Sequence, residues 1–288
     1  MSGVLITGGT GKTGSALAES LRESGVPVRV ASRNPSADAP DAARFDWSEP
    51  ATHPAALRGM DRVYLVPPVD TTDPMPLVEP FLAEAERLGV RRLVLLGSAI
   101  VLPGAPSALE LAARVRARPG WVVLRSSGFM QNFLPPHPLG EQIRRRGEIR
   151  TAAGAGRVGW IDARDIAAVA ATLLTAPHSH TDERRDHLLT GPQALSYRDA
   201  AQIISRHTGR SVRTVPVGAA EQADTYRASG MPDAFATALA AVDAGIRTGR
   251  EDQVSTAVLD LTGRPPRTFA EFVQDHAPRW TNAGTPEG

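Results

Sequence analysis

The chain has 288 residues, of which 42% are hydrophobic and 22% charged, with a formal net charge of +1. That length supports one large domain, or a domain with an attached lobe, and the near-neutral balance argues against a nucleic-acid footprint. The absence of cysteine excludes disulfides, thiolate metal sites and cysteine nucleophiles.

The first elements begin directly after Met1, where Val4 opens a short apolar run of the buried-strand kind. This leaves no space for a signal peptide, and no apolar stretch nears the roughly 20 residues that span a bilayer, so a cytoplasmic protein without a membrane partner is expected. Glycines follow the first strand, then a helical segment over 15–23 that stops at Gly25, then a second strand over 26–31. The same grammar recurs: a strand over 62–66, a helix over 83–88, Gly89 and a strand over 92–96. It appears again with a helix over 109–118, Gly120 and a strand over 121–125, and with a helix over 197–207, Gly209 and a strand over 212–217. Strands alternating with helices predict an α/β fold, a Rossmann-type doubly wound parallel sheet. After about Leu174 the pattern loosens into a polar loop and then a mainly helical stretch. The predicted division is a dinucleotide-binding core over 1–175 and a smaller C-terminal lobe over 176–288 on the substrate side, with a frayed tail from Thr281.

Between the first strand and first helix stands Gly8-Gly9-Thr10-Gly11-Lys12-Thr13-Gly14. Glycines at 9, 11 and 14, or at 8, 11 and 14, permit a tight turn and close backbone approach to a pyrophosphate, whose charge meets free N–H groups at the helix start. The spacing is not that of a Walker loop. NAD-specific folds usually carry an acidic residue about 20 residues on, for the ribose 2′-hydroxyl. Here the second strand ends Val30-Ala31-Ser32-Arg33-Asn34, with no carboxylate. Arg33 can fork onto a 2′-phosphate, Ser32 can donate to it, and Lys12, the only lysine among 32 basic residues, adds charge from the loop. NADP(H) is the expected cofactor.

Further segments carry a family likeness. They are Phe45-Asp46-Trp47, Val63-Tyr64-Leu65-Val66-Pro67-Pro68, Leu124-Arg125, Phe129-Met130-Gln131-Asn132-Phe133, Trp160-Ile161-Asp162-Ala163-Arg164-Asp165-Ile166 and Leu189-Thr190-Gly191-Pro192. With the glycine loop, they make the chain resemble the NmrA-like atypical short-chain dehydrogenases/reductases. Within them it is similar to bacterial relatives of the ergot-alkaloid reductases, which reduce a cyclic iminium with NADPH. The resemblance implies adenine contacts from Asp46 and Trp47, and ribose or nicotinamide contacts from Val66, Pro67, Pro68, Gly97 and Ser98. It implies substrate contacts from Phe129, Met130, Asn132, Phe133 and Trp160. Trp47, Phe129, Met130 and Phe133 read equally well as core residues. Asp162 and Asp165 read as a helix cap and a loop tie.

The Tyr-x-x-x-Lys proton relay of typical short-chain dehydrogenases is absent: four residues beyond Tyr64, Tyr197 and Tyr226 stand Pro68, Ala201 and Gly230. No mid-chain lysine replaces it. Hydride transfer without a tuned proton donor suits an acceptor that is already electrophilic, such as an iminium, quinone or enone, and the expected function is NADPH-dependent reduction of such a small molecule. A non-catalytic NADP(H) sensor that binds a partner, and a redox-neutral cyclase or isomerase, are the alternatives. His137, in Pro135-Pro136-His137-Pro138, is a weak candidate for substrate contact or proton donation. Glu110 reads as a solvated helix carboxylate, and residues 144–146, all arginine, as a solvated helix face. His178 and His180 with Asp182 lack a supporting further ligand, and no metal is expected.

Overall fold

The computed structural model describes residues 2–36, 38–68, 71–176 and 186–281. In chain order, β1 (Val4–Ile6) leads into α1 (Gly14–Glu23), followed by β2 (Val28–Ser32), β3 (Ala42–Arg44) and the short α2 (His53–Leu57). Next come β4 (Arg62–Leu65), α3 (Met75–Arg87), β5 (Arg92–Ser98), α4 (Ser107–Arg116) and β6 (Trp121–Ser126). After β6 run α5 (Pro138–Arg146), β7 (Glu148–Thr151), β8 (Arg157–Val158), α6 (Ala163–Thr175) and β9 (Asp186–Leu189). The remainder is β10 (Leu195–Ser196), α7 (Tyr197–Thr208), β11 (Arg213–Pro216), α8 (Ala219–Ala228), α9 (Asp233–Arg247), α10 (Ala257–Thr262), α11 (Phe269–His276) and α12 (Pro278–Thr281).

Seven strands form one parallel sheet in the order β3-β2-β1-β4-β5-β6-β9. Its central strands are apolar at consecutive positions because both faces are covered. Val4, Ile6, Tyr64, Val94, Val122 and Leu124 pack on α1, α6 and α10, while Leu5, Val63, Leu65, Leu93, Leu95 and Val123 pack on α2, α3 and α4. The chain winds from β1 out to β3 and returns to β4 on the other side of β1. The strand order reverses there, and the crevice beyond the carboxyl ends of β1 and β4 is where this architecture receives ligands.

The lobe has its own core, in which Met130, Phe133, Ile143, Ile149 and Val158 meet Ile204, Phe269, Phe272 and Trp280. Two small sheets brace it, β7 with β11 in parallel and β8 with β10 antiparallel. Sheet and lobe share the chain on both sides of residue 175. Residues 130–158 precede it yet belong to the lobe core, and β9 follows it yet completes the main sheet beside β6. The two units interleave because the chain leaves the sheet after β6, builds part of the lobe, and re-enters through α6 and β9. The strand expected over 212–217 is present as β11, but in a small sheet of the lobe. The polar loop with His178, His180 and Asp182, and the tail beyond Thr281, lie outside the described residues.

Candidate active site

The glycine loop is built by a tie between two strand ends. Thr7, fully buried after β1, accepts the Val66 N–H at 2.7 Å and donates to the Val66 carbonyl at 3.2 Å. The chain then turns into α1 so tightly that side chains are sterically excluded. A Cβ on Gly9 would sit 2.5 Å from the Val30 side chain, and one on Gly14 only 2.8 Å from Gly9 Cα, closer still to the Gly8 carbonyl oxygen. Gly8, Thr10, Gly11 and Lys12 face solvent, whereas Thr13 turns its side chain inward at 3% exposure. The α1 N-terminus has no side-chain cap and no acidic residue in its first turn. Its free N–H groups and positive dipole end are thus open to an anion.

Beside this loop, β2 ends at Ser32, whose hydroxyl accepts the Asn34 N–H at 3.3 Å, and Arg33 is exposed. Asp46 accepts the Ser48 N–H at 2.9 Å. Trp47 is half-buried, edge-on to Phe45 at 4.8 Å and Phe81 at 5.4 Å. His53, which the sequence did not single out, completes this aromatic group. Its ring stacks on Phe45 at 4.9 Å, its Nε2 lies 3.1 Å from the Asp46 carbonyl, and burial lowers its pKa. Further along the crevice, Val66, Pro67 and Pro68 follow β4, and Gly97 and Ser98 close β5.

The segment after β6 crosses to the α1 side of the sheet. Phe129 is half-buried, bridges to Ile161 and packs on the α1–α6 core. Gln131 is clamped, donating to Asp162 at 2.9 Å and accepting the Ala163 N–H at 3.0 Å. Asn132 accepts from Lys12 Nζ at 2.7 Å, joining the glycine loop to this segment. Much of Lys12 is exposed, but its ammonium end is partly stripped of water there, which lowers its pKa. His137 stands at the same junction. Its Nδ1 accepts the Leu139 N–H at 3.2 Å, capping α5, and burial together with the Lys12 charge pushes its pKa down to about 4.

An NAD(P)H-binding family profile matches residues 8–177. An uncharacterized oxidoreductase of Bacillus subtilis (strain 168) is 41% identical over 286 residues, covering 98% of each chain. The chain belongs to the NAD(P)H-binding oxidoreductase family. It is also 37% identical to an agroclavine dehydrogenase of Claviceps fusiformis, over 96% of this chain and 98% of that one. An NAD(P)H azoreductase of Xenophilus azovorans is 34% identical, over 95% and 98%. In fold, the structure matches an NADPH-dependent quinone oxidoreductase from Escherichia coli with a TM-score of 0.78, covering 94% of this chain and 99% of that one at 24% identity.

The family-implied substrate-side residues differ in exposure. Met130, Phe133 and Trp160 are 1%, 0% and 5% exposed and belong to the lobe core. Phe133 and Trp160 meet edge-on at 4.8 Å, and Trp160 also packs on Tyr197 at 5.0 Å. Asp162 caps α6 through the Arg164 N–H, and Asp165 holds Arg267 through its N–H and its guanidinium. Glu110 is exposed in the first turn of α4, and Arg144 and Arg145 pair with Glu141 at the end of α5. Among the described residues no cluster suited to a metal ion is present, and no helix is long and apolar enough to cross a membrane.

Proposed function

We propose that the protein is an NADPH-dependent reductase of an activated small organic acceptor: an imine or iminium, an azo compound or a quinone. The observation that carries this reading is the state of the proton-relay groups. The only lysine lies in the phosphate loop. All three tyrosine hydroxyls are pushed up by burial, Tyr226 to about 12, and none has a lysine beside it to bring it down. A plain ketone would yield an alkoxide with no such group to protonate it, whereas an acceptor with a low-lying π system takes hydride directly. The names of the clavine dehydrogenase, azoreductase and quinone oxidoreductase relatives favour the same acceptors. In this reading residues 8–14 hold the pyrophosphate, Ser32 and Arg33 the 2′-phosphate, Asp46 and Trp47 the adenine side, and Val66, Pro67, Pro68, Gly97 and Ser98 the ribose–nicotinamide half. Asn132 and His137 border the cofactor, with Phe129 behind them. The test is NADPH oxidation against panels of cyclic imines, quinones, azo dyes and enones. If no acceptor raises NADPH consumption above background, a sensing role replaces the catalytic one.

Cofactor choice gives a sharper expectation. NADP(H) should bind at least about tenfold more tightly than NAD(H), and Arg33→Ala should remove most of that gap, since a charged hydrogen bond is worth about 1.5–3 kcal/mol. Equal affinities of the unmodified protein in calorimetry would remove Arg33 from the 2′-phosphate. Lys12→Ala should weaken NADPH by about 1–2 kcal/mol while turnover at saturating cofactor survives. Bound NADPH should also protect Lys12 from acylation, read by mass spectrometry of the digested protein. Loss of turnover with unchanged NADPH affinity would instead make Lys12 a chemical participant.

A further inference from the structure

A cavity of about 190 Å³ opens beyond the ends of β5, β6 and β9. Its floor is set by strand register: Ala99 donates its N–H to Ser126 at 2.8 Å, and Ser127 donates to Leu189 at 2.9 Å. Ala99 directly follows Ser98, where the nicotinamide half of the crevice ends, so the cavity adjoins the reacting end of the cofactor in the reading above. Its far wall comes from the lobe, through the turn after α9 that carries Arg250 and Glu251. This turn is fixed in place. Ser255 donates its N–H to Thr190 Oγ1 at 2.9 Å, Arg250 donates to the Gly245 carbonyl at 3.2 Å, and a Cβ on Gly159 would lie 2.5 Å from the Gln253 carbonyl oxygen.

Three charged residues line the cavity: Arg125, Arg250 and Glu251. Arg125 on β6 pairs with Asp186 on β9, a carboxylate it shares with Arg116. Glu251 is the one carboxylate in the lining. It is partly exposed, and loss of water raises its pKa while the Arg250 charge opposes the rise. A carboxylic acid in such a place is strong enough to protonate an imine nitrogen, but far too weak to protonate a ketone oxygen.

We propose that this cavity is the acceptor subsite and that Glu251 protonates the nitrogen of a neutral cyclic imine bound in it. The inference rests on the reductase reading above and narrows its substrate to basic C=N compounds. Glu251 gives its proton to the nitrogen and the new iminium is paired with the carboxylate. Hydride from bound NADPH then adds to the carbon as the C=N π pair becomes the nitrogen lone pair. The imine is reduced to the amine, NADPH is oxidised to NADP⁺, and Glu251 regains its proton from water at the cavity mouth.

The test compares the unmodified protein with Glu251→Gln on two probes, 2-methyl-1-pyrroline and its permanently cationic N-methyl iminium salt. The variant should lose about 100-fold or more in kcat/KM on the neutral imine, the size of a general-acid contribution, and less than about tenfold on the salt. The basic fall in the pH profile for the neutral imine should change only in the variant, with NADPH affinity unaltered. Equal rates and equal pH profiles for both proteins would overturn Glu251 as the proton source and leave the reductase reading standing. A separate measurement is calorimetry of 2-methylpyrrolidine binding to the NADP⁺ complex, expected to weaken about tenfold in the variant, as removal of a charge-paired hydrogen bond implies. If the unmodified protein reduces neither probe yet binds the amine through Glu251, the proton-transfer proposal is overturned and the cavity remains a cation subsite, while the acceptor panels above decide the reductase reading. If it reduces neither probe and Glu251→Gln leaves amine binding unchanged, the whole subsite proposal is overturned.

Discussion

Trp160→Ala should destabilise the protein by about 3–5 kcal/mol, the range for truncating a buried large aromatic, while NADPH affinity under native conditions changes little. Trp160 is 5% exposed and is gripped from several sides. Phe133 meets it edge-on, and the rings of Tyr197 and Phe269 lie 5.0 and 5.9 Å away. Two glycines are cleared around it. A Cβ on Gly128 would fall 2.8 Å from Trp160 Cδ1, and one on Gly191 would collide with the Trp160 carbonyl oxygen. Since Gly128 follows β6 and Gly191 follows β9, this indole fastens the lobe core to the ends of two sheet strands. Collapse around the vacated space is blocked by the rigid strand ends, which places the cost toward the upper part of the range. Urea unfolding read by intrinsic fluorescence and circular dichroism gives the measurement. An unchanged midpoint accompanied by a raised KM for acceptor would return Trp160 to the cleft wall that its family position implied.

The alternation of strands and helices was legible because its signals are local. Apolar runs, amphipathic helices and stopping glycines such as Gly25, Gly89 and Gly120, all with positive φ, need no knowledge of the tertiary fold. The seventh strand was not legible. It reads Asp186-His187-Leu188-Leu189 and follows a polar stretch, and its leading carboxylate makes sense only beside Arg125 and Arg116. The substrate side was harder to read for a related reason. Within Phe129-Met130-Gln131-Asn132-Phe133, composition does not reveal which side chains turn inward. The 3₁₀ turn over Met130–Phe133 buries its first and last residues, clamps Gln131 to Asp162, and leaves Asn132 for Lys12, 120 residues away in the chain. Glu251 carries no motif at all. Only the packing of its turn on Thr190 and Gly159 brings it to the cavity. Local chemistry thus made the glycine loop legible, whereas groups assembled by long-range folding had to be seen.

Gly14→Ala should weaken NADPH binding by at least about 100-fold, equivalent to about 2.7 kcal/mol at tenfold per 1.4 kcal/mol. Gly14 is the first residue of α1, and its φ is ordinary, so the constraint is contact and not conformation. An added methyl would stand 2.8 Å from Gly9 Cα and 3.0 Å from the Gly8 carbonyl carbon, nearer still to the Gly8 oxygen. These neighbours are all backbone, so no rotamer change can relieve the overlap, and helix and loop must move apart. That movement displaces the N–H groups proposed to meet the pyrophosphate, whose directed bonds depend on their geometry. Gly11→Ala is the internal control. Its methyl would meet only the Gly8 carbonyl oxygen, at 3.1 Å, within an exposed turn. A shift of a few tenths of an ångström accommodates it, so its affinity loss should be under about tenfold, or about 1.4 kcal/mol. Calorimetric titration of both variants with NADPH, alongside their thermal unfolding without nucleotide, separates loss of the site from loss of the fold. Overpacking of this kind costs about 1–3 kcal/mol of stability, which leaves a folded protein to titrate. Equal affinities for Gly14→Ala, Gly11→Ala and the unmodified protein would mean that the nucleotide phosphates do not rest on this helix.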